Sequence, residues 1–410
     1  KILFAEHPHT HMPTMLLLGS VAAAMHPPLR QSCPLLPCFQ PSRRSPPPLC
    51  QLGAGARGRL FLDQKEAMTR QAEVERDLLA PHTQPMVVPK PSKKKARAMG
   101  GGGGGGFGAK AAVAPSAEEI ATALRVDTLK SEGVCYVPGV LRKESAAGLL
   151  ECVQDELKRA YAAVEAEPES SVARFNVPVD TFDPLRGYLL LPLRDERSVE
   201  AGEPDGVMVR ALRECLSSGS VLGELFGSSL CGGGKAEWYD LVALRTEAGA
   251  ARQPIHYDTP YQKVPGLFCA FIAMSDVEYS KGATVFLPGT HRDTAERQAF
   301  EQGSEARDAM LGAKQSAFTA LKAGDAVVFD MRTLHAGTAN LAFSEGGGQR
   351  LLFILTFRNR KAKGALGHAP NLRPNYRHRG ITLAEMRSEL ESPEPFAGDA
   401  SDGKPFGDGL

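Results

Sequence analysis

The stretch Trp238-Tyr239-Asp240-Leu241-Val242-Ala243-Leu244-Arg245 decides the fold class of this chain. Aromatic and apolar residues follow one another there without a proline or a glycine, as in a strand buried on both faces. Further runs of this kind lie at Leu267 to Ser275, Thr284 to Leu287, Ala326 to Phe329 and Leu351 to Phe357, parted by Gly/Pro turns. Upstream the period changes. Ser116 followed by Glu119 has the spacing of a capping box and opens a helix through Ile120, Leu124 and Leu129 that Gly133 stops. Val134 to Val137 reads as a short strand ended by Pro138-Gly139. A long helix follows, about Glu144 to Ala166, with the stripe Leu149, Leu150, Val153, Leu157, Tyr161, Val164. A second helical patch covers about Val207 to Phe226, before a break at Gly232 to Gly234. Helices first and strands second imply an α+β chain with a mainly β core, a jelly-roll sandwich whose helices buttress one sheet. Nothing repeats internally, and no Gly-rich phosphate loop follows a strand, which excludes solenoids, dinucleotide folds and P-loops.

Bulk properties narrow the partners. Of 410 residues, 42% are hydrophobic and 23% charged, and the net charge of +1 gives no general attraction to nucleic acid or an acidic membrane. No apolar run reaches the roughly 20 residues of a membrane span. The expected partner is therefore a small-molecule substrate, while oligomeric state is not legible. Cys135, Cys152, Cys215, Cys231 and Cys269 are scattered through a domain large enough to need no staple, and no C-x-x-C pair occurs. They read as reduced packing residues.

The first hundred residues have a different composition. Between Lys1 and Leu62 Glu6 is the lone acidic residue, arginines recur, and prolines cluster at Pro27 to Pro48. Acid-poor, Arg- and Ser-containing segments resemble organelle transit peptides, and Leu16 to Ala24 resembles a signal core. A plastid is the expected compartment, with mitochondrion and cytoplasm as alternatives; the bland reading is a leader that is not translated, since Lys1 is no initiator. Asp63 to Leu79 can form a short helix. Lys93 to Lys95 and then Gly100 to Gly106 read as a solvated linker. The expected division is a 1–115 targeting or disordered extension, a 116–365 folded domain and a 366–410 C-terminal extension.

Two of the histidines downstream of Ser116 carry chemistry. His256-Tyr257-Asp258 puts an imidazole and a carboxylate on the same side of an extended strand, and His335 follows the strand Asp325 to Asp330. Two imidazoles and one carboxylate are the facial triad of non-haem iron(II) oxygenases, which leaves adjacent positions for a 2-oxo acid and oxygen. A 2-oxo diacid needs a cation for its far carboxylate, and Arg350 opens the strand Leu351 to Phe357. If Arg350 points inward, Leu352, Ile354 and Thr356 share its face while Leu351, Phe353, Leu355 and Phe357 pack outward. The same ligand set also suits a zinc hydrolase, or a non-catalytic binding module that keeps the barrel.

Ordered segments then resemble the phytanoyl-CoA dioxygenases and their relatives over about Ser116 to Asn359. Gly133 to Leu141 is similar to the family's entry strand, Gln253 to Pro260 to its H-x-D segment, Gly282 to His291 to its P-G-S-H turn, and Gly324 to Asp330 with His335 and Asn340 to its distal-histidine segment. The resemblance implies a double-stranded β-helix, iron(II) on His256, Asp258 and His335, and 2-oxoglutarate on Arg350. It further implies oxygen as co-substrate, ascorbate as an accessory, and hydroxylation with release of succinate and carbon dioxide. Asp258 favours hydroxylation, because halogenating relatives have Ala or Gly there. Gln253 and Tyr261 flank the site as candidate contacts to substrate or 2-oxoglutarate, or as packing residues. Thr338 stands one place later than the family's small hydroxyl residue. The interval from His335 to Arg350 is long, with Phe343 to Gly348 as an apparent insertion, so Arg358 and Arg360 are alternatives for the carboxylate. His291 reads as holding a loop and Trp238 as core. Arg186, Arg194, Arg210 and Arg245 are contacts for an anionic substrate or plain surface charges.

Overall fold

A computed structural model of the chain describes residues 54–87, 116–168, 175, 185–194, 202, 205–292, 294–377 and 379–392. The chain opens with helix α1 (Ala54–Leu79) and strand β1 (Thr83–Pro85), then α2 (Ala117–Glu132), β2 (Val134–Val137), α3 (Lys143–Ala166) and β3 (Arg186–Leu190). Helices α4 (Val207–Leu216) and α5 (Val221–Phe226) lead into β4 (Glu237–Thr246), β5 (Leu267–Ala273) and β6 (Thr284–Phe286). Next come α6 (Ala295–Gln302), α7 (Ser304–Ala313), β7 (Ser316–Phe318), β8 (Ala326–Asp330), β9 (His335–Gly337) and β10 (Arg350–Arg358), then α8 (Pro374–Arg377) and α9 (Leu383–Glu391).

The strands form two sheets, one of order β2-β8-β5-β10-β4-β3 and one of order β1-β7-β6-β9. Alternation along β10 divides the core. Leu351, Phe353, Leu355 and Phe357 join the cluster with Val153, Leu157, Leu212 and Phe226 under the helices. Leu352 and Ile354 join Val242, Leu244, Phe271, Phe286 and Phe329 between the sheets. The first set is the outer face and the second the interior of a jelly roll, as the period-two pattern requires. Mixed helices around a sheet-rich core are thus the observed class.

Several helix ends follow from local chemistry. Ser116 and Glu119 make the reciprocal capping box, and Gly133 terminates α2 at φ 75. The stretch expected as one helical patch is two helices, because Ser217 leaves the helical region and Ser220 caps the next with its side chain. Cys135, Cys152, Cys215, Cys231 and Cys269 are free and buried. Among the described residues no helix is long and apolar enough to cross a membrane.

Two expected boundaries move. Folded structure does not wait for Ser116: β1 pairs in parallel with β7, and α1 buries Ala72, Glu75 and Leu79 against the domain. The stripe is thin and one of its members is a carboxylate, so hydropathy alone passes over it. The C-terminal segment is not an appendage either. Leu372, Tyr376, Ile381, Leu383, Met386 and Leu390 lie in the main core, and Trp238 and Leu241 of β4 donate backbone N–H groups to Ile381 and Asn371. Residues 1–53 of the expected targeting segment and the Gly100 to Gly106 linker lie outside the described residues, and α1 begins inside the acid-poor stretch, at Ala54.

Candidate metal centre

His256 is tied to His335 by a reciprocal backbone pair, His256 N–H to His335 O at 2.9 Å and His335 N–H to His256 O at 2.8 Å. Asp258 and Thr259 both donate their N–H to Met331 O at 3.0 Å. The H-x-D segment therefore runs antiparallel beside β9, and its register brings the three side chains to one side. Ligand atoms of His256, Asp258 and His335 all lie within 4.8 Å of one another. Asp258 Oδ1 is 3.7 Å from His256 Nε2, and Asp258 Oδ2 is 3.4 Å from His335 Nε2.

The two rings are aimed by their other nitrogens. His256 Nδ1 sits 2.8 Å from Pro254 O and His335 Nδ1 3.0 Å from Thr333 O. A carbonyl can only accept, so each Nδ1 carries the proton and each Nε2 presents a lone pair toward Asp258. Phe286 stacks on the His335 ring at 5.5 Å and Phe329 packs at 5.1 Å. Burial pushes the His335 imidazole down to about 4, against the opposing pull of Asp258. A neutral imidazole is the form a metal takes.

Arg350 lies in the interior at 1% exposure. Register explains this: Arg350 pairs with Thr246 of β4, and the Phe343 to Gly348 insertion loops outward with Phe343 75% exposed. Its Nη1 donates to Gly282 O and its Nη2 to Thr246 Oγ1 at 3.0 Å, while Nε has no partner. Burial, reinforced by the Arg186 guanidinium nearby, pushes Arg350 down to about 9. No carboxylate of the described residues pairs with it. Because a guanidinium keeps its proton, this arrangement calls for an anion. Arg358 and Arg360 instead face Glu237, at 3.8 Å and 3.4 Å.

The remaining expected residues divide. Gln253 Oε1 accepts from Gly337 N–H at 3.0 Å, beside Arg186, whose Nη2 donates to Ala251 O and Thr338 O. Thr338 is buried, and its hydroxyl donates to Ala283 O at 2.8 Å. Tyr261 is 41% exposed, with the Arg332 guanidinium 5.8 Å from its ring. His291 is buried and holds α2 through Lys130 O at 3.2 Å. Trp238 is buried in the outer core and donates to Asp240 O.

Two supports were invisible in the sequence. Behind the triad, Ile255, Tyr257, Leu334 and Ala336 point away from the ligands and bury with Leu78 and Leu79 of α1. There Glu75, fully buried, accepts the Ile255 N–H at 2.6 Å. In front, Gly367 at φ 91 presses on Asp258: a Cβ would stand 1.8 Å from Asp258 O. No motif marks either residue, since Glu75 lies on a charged helix and Gly367 in an irregular tail.

A jelly roll carrying two histidines and an aspartate at one end of its interior defines the class of facial-triad proteins. The chain belongs to the phytanoyl-CoA dioxygenase family, whose model matches residues 129–343. Its fold is similar to those of several solved structures. AviO1 from Streptomyces viridochromogenes is 16% identical, with 60% of this chain and 97% of that one covered at a TM-score of 0.41. The epimerase SnoN from nogalamycin biosynthesis, described as non-heme and alpha ketoglutarate dependent, is 19% identical, with 58% and 81% covered at 0.38. HygX from Streptomyces hygroscopicus, solved with nickel, 2-oxoglutarate and hygromycin B, is 14% identical, with 63% and 98% covered at 0.38. No curated protein matches the chain.

Proposed function

We propose that this protein is an iron(II)- and 2-oxoglutarate-dependent dioxygenase that hydroxylates a small organic or acyl substrate and releases succinate and carbon dioxide. The observation that carries the reading is the convergence of two Nε2 atoms and one carboxylate within 4.8 Å, with both Nδ1 atoms already engaged. The donor set fits iron(II), and the unmet Nε of buried Arg350 fits the far carboxylate of a 2-oxo diacid. Iron bound there supplies the activation of oxygen.

The chain's own residues do the rest. His256, Asp258 and His335 would hold the metal. Arg350 orients 2-oxoglutarate by its distal end, and Thr246 and Gly282 hold that guanidinium in place. Phe286 and Phe329 keep water from the His335 side. Compartment follows the N-terminal composition, and we propose a plastid.

The test is anaerobic reconstitution with iron(II), then succinate formation from 2-oxoglutarate in air, wild type beside His256→Ala. Succinate that vanishes in the variant supports the reading. If neither succinate nor the charge-transfer absorbance of a bound 2-oxo acid appears, the reading fails and a zinc hydrolase or a binding module takes its place.

A further inference from the structure

A cavity of about 210 Å³ shares no lining residue with the triad. Lys130 comes to it from the end of α2, Lys263 from the loop after the H-x-D segment, and Arg292 from the turn after β6. None of these three cations has an ion-pair partner among the described residues. Arg332 also lines the space, but its charge is met by Asp330 at 2.5 Å. Tyr261 contributes an aromatic wall, and His291, 3% exposed, lines the cavity while its Nε2 donates to Lys130 O at 3.2 Å. Segments far apart in sequence thus converge three positive charges that no carboxylate of the described residues pairs.

We propose that this cavity is an anion subsite that takes the phosphoryl group of a phosphate monoester. The size supports a headgroup: whole small ligands need pockets of about 300 Å³ or more, so only part of a molecule fits here. The charge supports a dianion, since two ammonium groups and a guanidinium would overcompensate a single carboxylate. Location ties the site to the triad. Tyr261 follows Asp258 by three residues, and Arg332 precedes His335 by three. At roughly 3.3–3.6 Å per residue the Cα atoms of these two wall residues stand within about 11 Å of those of Asp258 and His335. A phosphoryl group held here places a carbon several bonds away over the triad. That last step, in which the phosphate belongs to the substrate, rests on the oxygenase reading; the existence of the subsite does not.

The test is calorimetric titration of the full-length, metal-free chain with inorganic phosphate and with hexyl phosphate. Saturable phosphate binding, weakened at least ten-fold in Lys263→Ala/Arg292→Ala and unchanged in His256→Ala, is the expected result. Both cations are exposed, so the double variant keeps its fold, which its melting point verifies. Absence of saturable binding, or equal affinity in the double variant, overturns the subsite. Hexyl phosphate binding at least ten-fold tighter than the free ion is expected for a substrate-borne group; equal affinity makes the site one for free phosphate and overturns the substrate assignment. Neither outcome depends on iron or succinate, so failure here is distinct from failure of the oxygenase reading.

Discussion

Replacing Glu75 by alanine tests whether the N-terminal helix is part of the metal centre. The carboxylate is fully buried, accepts the Ile255 N–H at 2.6 Å and the Gln71 side chain at 2.7 Å, and lies 3.9 Å from Arg307. Truncation leaves the Ile255 N–H buried without a partner, which costs about 1–3 kcal/mol. At roughly 3 °C per kcal/mol for a domain of this size, the melting point falls by about 3–9 °C. Ile255 precedes His256, so the strand that aims the ligand loosens as well, and cobalt(II) affinity should drop by about ten-fold. Glu75→Gln keeps an acceptor for Ile255 and should retain both stability and affinity. It also removes a pH dependence. Burial raises the Glu75 carboxyl above its ordinary range, outweighing the Ile255 hydrogen bond. The folded state then holds more protons than the unfolded one, so this contribution is present below pH 4.5 and is lost as pH rises through the folded value. The glutamine variant should lose that slope. Glu75→Ala with the melting point and metal affinity of the wild type would refute the reasoning, as would Gln and Ala variants that behave alike.

Arg350→Met should weaken 2-oxoglutarate binding about 10–150-fold, the value of one or two charge-assisted hydrogen bonds, read by charge-transfer titration of the iron form. The same variant should melt higher than the wild type without 2-oxoglutarate, because an unpaired buried charge is gone. His335 titrates at about 4 when folded against 6.5 ordinarily, so the metal-free protein should lose about 3 kcal/mol as pH falls between those values. His335→Gln should flatten that stretch of the denaturation-midpoint profile. Gly367→Ala forces a Cβ against Asp258 O in a left-handed conformation and should cost at least about 2 kcal/mol. Denaturant midpoint and cobalt(II) titration measure this, and an unchanged metal affinity would separate the tail from the site.

The sheet strands were legible because β4, β5, β8 and β10 are long or dense in apolar residues, and their bounds moved by a residue or two. β3, β7 and β9 were not: Arg186-Gly187, a three-residue run at Ser316 and a strand that begins at the ligand His335 carry no alternation to detect. H-x-D places both groups on one side of a strand but is a weak signal by itself, and the ordered segments around it are what singled out these residues. Its partner came from the position of His335 after β8. What could not be read was register across the Phe343 to Gly348 insertion, which left three arginines open for one task. Pairing of Arg350 with Thr246 turns that side chain into the interior, and no local pattern encodes such a pairing. Tyr261, open in sequence between a contact at the site and a packing residue, has its ring 5.8 Å from the Arg332 guanidinium.

One physical constraint connects these points. Each strand that carries a ligand has a second face, and that face must be buried for the first to hold still. His256 and Asp258 alternate with Ile255 and Tyr257, and His335 with Leu334 and Ala336, so the apolar partners all emerge behind the sheet. α6 and α7 cover part of that surface, and Arg297 of α6 stacks on the Tyr257 ring at 3.9 Å. Leu78 and Leu79 of α1 cover more of it, with Glu75 meeting the backbone donor beside them. The helix that supplies this cover lies outside the matched family region, residues 129–343. A chain that starts at Ser116 would therefore keep every ligand and expose the back of the strands that aim them. Such a truncation should bind cobalt(II) more weakly than Glu75→Ala does, because it removes the apolar cover together with the hydrogen bond.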